Sequence, residues 1–170
     1  MSLSTDSRFR VLVIIAGALA VSGYAILGAA SMNDWEMTAA SHLPLDQTVA
    51  HMRAAEQPVS AIPGLLFAAT GISLAVAWAS LLLAKRLSIF ASIVGWAAII
   101  AFGAPAYFWF SFGNMMSVGD TFPDWDSEAA IAIADRFYLA SGIALAVGIV
   151  AASVLVVRVL VRRSAPIPRA

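Results

Sequence analysis

Residues 69–76, with the sequence ATGISLAV, are echoed by residues 140–147, with the sequence ASGIALAV. Both copies lie inside long apolar runs, and both place small residues four positions apart. Small residues at this spacing let membrane helices approach closely. Close packing must hold such helices together, because lipid is as apolar as their side chains. The echoed stretch therefore predicts two packed transmembrane helices in an all-α fold.

The composition assigns the chain to the integral membrane proteins. Its 170 residues are 61% hydrophobic and only 12% charged, whereas a soluble domain is roughly 45–50% apolar and about 25% charged. We therefore expect the lipid bilayer as its surroundings and no nucleic acid among its partners. The absence of cysteine excludes a disulfide framework, a CxxC redox pair and thiolate metal sites.

Four runs are long enough to cross the roughly 30 Å hydrocarbon core, which takes about 20 apolar residues. We place the spans at about 11–31, 62–84, 87–112 and 134–161, within one domain that covers residues 1–170. The alternative that the first run is a secretory signal peptide is disfavoured, because such a segment has only about 7–15 apolar residues. The connections at 32–61 and 113–133 are the long loops, and each has a sequence that favours short helices.

Local signals predict how these spans begin, bend and connect. Pro63 suits the first turn of the second span, and Lys85-Arg86 forms a tight hairpin between the second and third spans. Pro105 should kink the third span because proline removes a helical hydrogen bond. Residues 33–36, with the sequence NDWE, are typical of a helix start, as are the acidic residues 124–128 ahead of the fourth span.

The basic residues predict the orientation. Most of them fall on one side of the predicted spans, namely Arg8, Arg10, Lys85, Arg86, Arg158, Arg162, Arg163 and Arg169. Only Arg53 and Arg136 fall on the other side, together with every acidic residue except Asp6. The positive-inside rule then places both termini in the cytoplasm, and both long loops outside the cell (plasma or inner) membrane.

The two halves of the chain resemble a tandem repeat of a two-helix hairpin. Each half runs outward, forms a loop and returns, and the Asp-Trp-acid sequence at 34–36 recurs at 124–126. Repeats in the same orientation predict a pseudo-two-fold axis along the membrane normal. Coincidence among alanine-rich spans is the alternative, since small-residue matches are common in membrane helices.

Two small-residue stripes are the predicted packing surfaces. They comprise Ala69, Ser73 and Ala77 in the second span, and Ala140, Ala144, Gly148 and Ala152 in the fourth. These stripes are expected to face each other or the outward spans, or to face a partner subunit. The predicted spans hold no ionisable residue in their apolar cores, which disfavours a pump, an ion-coupled carrier or a haem protein.

The outer loops carry the residues that suit a metal. The candidate ligands lie in these loops or at the edge of the outer face: His42, His51, Met52, Met115 and Met116. Thioether and imidazole ligands together favour copper, especially Cu(I). The alternative is that the methionines pack at the interface and the histidines are solvated, because no strict ligand spacing is present.

The sequence favours a non-catalytic accessory or structural subunit of a larger membrane complex, with membrane protein partner subunits. The small-residue stripes and the acidic outer loops, which suit a basic partner, support this hypothesis. One alternative is an extracytoplasmic copper-binding or metal-handling protein. A second is a small interfacial membrane enzyme that uses Asp and His residues at the outer surface.

Overall fold

The computed structural model describes residues 5–85 and 87–163 of the chain. Throughout these residues the only regular structure is helical. Four helical segments are long and apolar enough to cross a membrane, as the sequence predicts: Arg8–Ser41, Ile62–Lys85, Ile89–Thr121 and Ser127–Val161.

The first segment is longer than predicted. Helix α1 (Thr5–Ala30) continues through a π-helical turn (Ser31–Trp35) into helix α2 (Glu36–Ser41). The predicted helix start at 33–36 is therefore wrong, because the backbone is already helical at Ala30 and no side chain caps the junction. The segment ends only at His42, whose positive φ of 56° breaks the helix two residues before Pro44.

Helix α3 (Leu45–Ala54) lies in the connection between the first two segments. Helix α4 (Ile62–Lys85) follows, with Pro63 as its second residue. Ser88 then caps helix α5 (Ile89–Ala101), because its hydroxyl oxygen accepts a hydrogen bond from the Ala91 amide at 3.2 Å. Helix α4 therefore ends at Lys85 and α5 begins at Ile89, and Arg86 of the predicted Lys85-Arg86 hairpin lies outside the described residues.

The third segment is interrupted close to the predicted kink. Helix α6 (Gly103–Thr121) begins after a break at Phe102, and Pro105, its third residue, has no N–H for the carbonyl four residues earlier. The helix also continues nine residues beyond the predicted end at 112. Asn114, Ser117 and Val118 are buried against the rest of the bundle, which explains the extension.

Helix α7 (Ser127–Arg163) begins seven residues before the predicted span. Asp126 caps it, with a carboxylate oxygen that accepts a hydrogen bond from the Ala129 amide at 2.8 Å. This is the helix start that the acidic residues at 124–128 indicate.

Contacts along the helices fix their directions. Helices α1 and α4 are antiparallel, with Gly28 against Phe67 and Ala25 against Gly71. Helices α5 and α7 are also antiparallel, with Gly148 against Ala97 and Arg158 against Phe90. Helix α1 runs parallel to α5, because Gly17 meets Trp96 and Tyr24 meets Gly103 just after α5 ends, and so α1 and α7 flank α5.

Three clusters of buried apolar residues follow one another along the bundle. Their members are Ile14, Val21, Ala75, Leu82 and Trp96 in the first, Met32, Phe67, Tyr107 and Phe137 in the second, and Met37, Ala40, Met52, Val118 and Ala130 in the third. Outside these clusters, large apolar side chains such as Leu19, Leu65 and Leu139 are exposed. Such an apolar exterior suits contact with the lipid bilayer.

The two ends of the bundle differ in charge. We call the end that carries Arg8, Arg10, Lys85 and Arg158 the basic end. We call the opposite end the acidic end; its exposed acids are Asp46, Glu56, Asp120, Asp124, Glu128 and Asp135.

Candidate functional site

The π-helical turn between α1 and α2 places two polar side chains on the same side of the helix. The Glu36 amide donates to the Ser31 carbonyl, which closes a turn of five residues. In an α-helix, residues five apart point about 140° away from each other. The wider π turn reduces this angle, and both side chains therefore reach the same partner.

That partner is Tyr107 of α6. Its hydroxyl donates to a carboxylate oxygen of Glu36 and lies 2.5 Å from the Ser31 hydroxyl, which is itself 3.4 Å from the same carboxylate oxygen. Glu36 is only 2% exposed, and the other two side chains are fully buried. Because an unpaired buried carboxylate is costly, these hydrogen bonds hold the first segment to the third.

Three aromatic rings pack around the ring of Tyr107. The Phe137 ring stacks on the Tyr107 ring at 4.7 Å, and the Phe67 and Tyr138 rings meet it edge-on at 6.0 Å. Tyr24 contacts Phe67 and Phe137 in turn. Residues of all four long segments thus meet around this one phenol.

Asn114, two turns farther along α6, fixes the return of the chain into α4. Its amide oxygen accepts a hydrogen bond from the Ser60 amide at 3.1 Å, and its amide nitrogen donates to the Ser60 carbonyl at 2.9 Å. The same nitrogen lies 3.4 Å from the Met32 carbonyl. The entry of α4 is therefore tied to the helix that carries Glu36.

The first long segment carries a buried carboxylate five residues beyond the predicted end of its span at residue 31. Glu36 belongs to the first long segment, because the helix does not end at residue 31. Ser31 and Glu36 are five positions apart in the sequence. This spacing would have indicated that the two side chains share a partner only if a π-helical turn had been expected. Nothing in the sequence connects either residue to Tyr107, 71 positions after Glu36.

The two predicted metal-binding histidines are at the surface and have different partners. The His42 side chain is 68% exposed, and its Nε2 lies 3.3 Å from an Asp126 carboxylate oxygen. The His51 Nδ1 lies 2.8 Å from the Gln47 carbonyl oxygen, and its ring lies 5.8 Å from that of Phe122.

The predicted methionine ligands divide into two groups. Met52 is fully buried and packs with Met115 in the cluster at the acidic end, whereas Met116 is half-exposed. Across residues 5–85 and 87–163, no group of three or more His, Asp or Glu side chains is arranged to hold a metal ion. A copper site built from sulfur and imidazole stays a prediction.

The stripe of α4 lies on the outside of the bundle. Ala69, Ser73 and Ala77 are all exposed, whereas Gly71 and Ala75 of the same helix are turned inward. A methyl group built on Gly71 would overlap the side chain of Ala25, so α1 and α4 make their close approach through a different face from the predicted stripe.

The stripe of α7 is turned partly towards α5. Its members Ala140, Ala144, Gly148 and Ala152 are half-buried, and a methyl group built on Gly148 would lie 3.1 Å from the Ala97 side chain. The two copies of the echoed sequence therefore turn different faces inward.

Matched positions show this difference directly. Ser141 is buried and donates to the Ile100 carbonyl at 2.8 Å, whereas its counterpart Thr70 is exposed. Gly142, the counterpart of Gly71, has no side chain near enough for a methyl group to meet. The tandem repeat stays a prediction.

The chain matches no protein-family model, no curated protein and no solved structure. A functional proposal for this protein therefore rests on the residues described above. The observations that carry most weight are the closed cluster of Ser31, Glu36 and Tyr107, and the uncovered stripe of α4.

Proposed function

We propose that the protein is a non-catalytic accessory or structural subunit of a larger membrane protein complex. The observation that carries this proposal is the exposure of Ala69, Ser73 and Ala77 on α4. Small residues at four-residue spacing favour close contact between membrane helices, whereas contact with lipid does not require such a surface. The proposed occupant of this surface is a transmembrane helix of another subunit.

The shape of α4 suits such a contact. Val76 is 61% exposed on one side of the stripe and Leu74 is 47% exposed on the other, so larger side chains border the small ones. A helix whose side chains fit between these borders would approach the α4 backbone closely. Ser73 also offers a hydroxyl, which can hydrogen-bond across a helix pair in a membrane.

The acidic end supports a partner that carries basic residues. It exposes six carboxylates, whereas its only exposed Lys or Arg side chains within the described ranges are Arg53 and Arg136. The Asp126 amide donates to the Ala40 carbonyl at 2.8 Å, which joins helix α2 to the start of α7 at this end. Charge complementarity on such a surface contributes mainly to association rate and specificity.

In this proposal Glu36 is an anchor for the helices. Both hydroxyls that bond its carboxylate belong to the chain itself. An ionisable side chain at membrane depth is by default a candidate functional group. Here its neighbours are a structural hydroxyl pair and a shell of aromatic rings, which favours the anchoring role.

We place the protein in the plasma or inner membrane with both termini in the cytoplasm. The support is the charge distribution, because the basic end carries most of the Lys and Arg residues, and only Arg53 and Arg136 belong to the other end. The copper-handling and interfacial-enzyme hypotheses stay predictions, and no contact described above favours either of them over the subunit proposal.

Site-specific crosslinking tests the proposed contact. Because the chain has no cysteine, single cysteines at Ser73 and Ala77 can carry a photoreactive maleimide in native membranes. Ala146 on α7 is the matched control, since it is also small and exposed. We expect adducts with another polypeptide from the two α4 positions, and few or none from Ala146.

Three outcomes of this experiment would contradict the proposal. The first is equal crosslinking at all three positions, and the second is adducts with lipid alone. The third is an adduct at about twice the 17.8 kDa mass of the chain, which would indicate self-association through the stripe.

A further inference from the structure

An open cleft runs along α5 because α1 and α7 pack on either side of it without closing over it. Trp96 and Ala97 form its floor, and its walls include Ala16 and Ala20 of α1 and Ala144 of α7. The volume of this part of the cleft is about 560 Å³. The small side chains of both walls keep it open to the surrounding lipid.

The cleft continues towards the basic end. A second groove of about 390 Å³ shares Ile93 and Val147 with the first, and it extends to Phe90 and Val154. Both parts are lined almost entirely by apolar atoms. Together they form one elongated apolar surface between α5 and α7.

Arg158 lies at the basic end of this cleft. Its guanidinium carbon is 4.4 Å from the centroid of the Phe90 ring, which lines the end of the groove. Within residues 5–85 and 87–163, no carboxylate forms an ion pair with Arg158. This cation–π contact holds the guanidinium beside the ring and leaves its N–H donors free for a phosphate.

We propose that this cleft binds an anionic phospholipid, with the phosphate at Arg158 and one acyl chain along α5 and α7. Arginine recognises phosphate through paired hydrogen bonds, and basic sites between membrane helices suit anionic headgroups. The inference does not depend on the subunit proposal, because the stripe of that proposal lies on α4.

The length of the cleft agrees with this occupant. Fifteen residues separate Arg158 from Ile143, which lines the far part, and they span about 22 Å of helix. One leaflet contributes about 15 Å of hydrocarbon, half of the bilayer core. A chain whose headgroup is at Arg158 therefore has apolar wall beside it through the whole leaflet.

Thermal unfolding of the full-length protein in a neutral detergent tests the site. We expect dioleoyl phosphatidylglycerol to raise Tm by about 5 °C relative to dioleoyl phosphatidylcholine when added well above its Kd. Arg158→Gln should remove most of this difference. The matched control is Arg8→Gln, which removes an exposed charge from the same end and should leave the difference unchanged.

Two further measurements distinguish the contribution of the lipid headgroup from that of the acyl chain. Val147 is 48% exposed where the two grooves meet, so Val147→Trp should fold, obstruct the cleft and reduce the phosphatidylglycerol retained in native mass spectra. Glycerol 3-phosphate alone should give no shift in Tm. An unchanged lipid effect in Arg158→Gln or Val147→Trp, an equal loss in Arg8→Gln, or a full shift with glycerol 3-phosphate would overturn the proposal.

Discussion

Ser31 and Glu36 stand one π-helical turn apart and share a single hydrogen-bonding partner, the hydroxyl of Tyr107. These hydrogen bonds join the first and third long segments of the bundle at a point that water does not reach. It also explains why the first helix widens into a π turn there, since an ordinary α-helical turn would direct the two side chains apart.

Tyr107→Phe tests this anchor. The substitution keeps the ring and removes the hydroxyl that donates to the buried carboxylate, leaving the longer 3.4 Å contact from Ser31. We expect the free energy of unfolding in detergent to fall by about 1–3 kcal/mol, the usual cost of leaving a buried polar group unsatisfied.

Tyr138→Phe is the matched control. Tyr138 meets the Tyr107 ring edge-on, but no hydrogen bond from its hydroxyl is present within the described part of the chain. Removing the same atom there should change stability by less than about 0.5 kcal/mol. Equal losses in the two variants would show that the anchor is not the Tyr107 hydroxyl.

The sequence was sufficient for the four segments but not for this site. Long charge-free runs and the short Lys85-Arg86 connection predict the helices because a span needs length and apolarity alone. The burial of Glu36 depends on a partner from another segment, and the surrounding NDWE sequence is also typical of a helix start. Local patterns cannot distinguish these two structures.

The stripes show a related limit of sequence reasoning. Spacing predicts that Ser73 and Ala144 each lie on a small-residue face of a helix, but it does not predict what that face meets. Ser73 is exposed, whereas Ala144 is half-buried beside α5. Which face turns inward is decided by contacts such as Gly71 against Ala25, and these depend on the whole bundle.

Gly148→Leu tests the packing of α7 on α5. A methyl group at this position would already lie 3.1 Å from the Ala97 side chain, and a leucine should therefore overpack the contact between α5 and α7. We expect a loss of about 1–3 kcal/mol in stability. Gly142→Leu on the same helix should cost much less, because Gly142 has no neighbour within 4 Å. Similar losses in the two variants would place the contact elsewhere.

Met52→Ala distinguishes packing from metal binding at the acidic end. Met52 is fully buried, and truncating it should cost about 2–5 kcal/mol. Met116→Ala removes a half-exposed side chain and should be close to neutral.

Elemental analysis of the purified protein tests the copper hypothesis independently: stoichiometric copper that is lost in His51→Ala would support it, and copper-free protein would end it.

Cysteine labelling tests the orientation. Ala50 on α3 and Ala84 near the end of α4 are both exposed and lie near opposite ends of the bundle. A membrane-impermeant maleimide should label Ala50→Cys in intact cells and should label Ala84→Cys only after the cells are opened. The reverse pattern would invert the proposed topology.

The most direct test of the subunit proposal is the composition of the particle extracted from native membranes in a mild detergent. Mass measurement should find the chain in a stoichiometric complex with at least one other membrane protein. Ser73→Leu combined with Ala77→Leu should release that partner, whereas Ala146→Leu should not. A wild-type chain that is extracted alone, or a complex that survives the double substitution unchanged, would contradict the proposal.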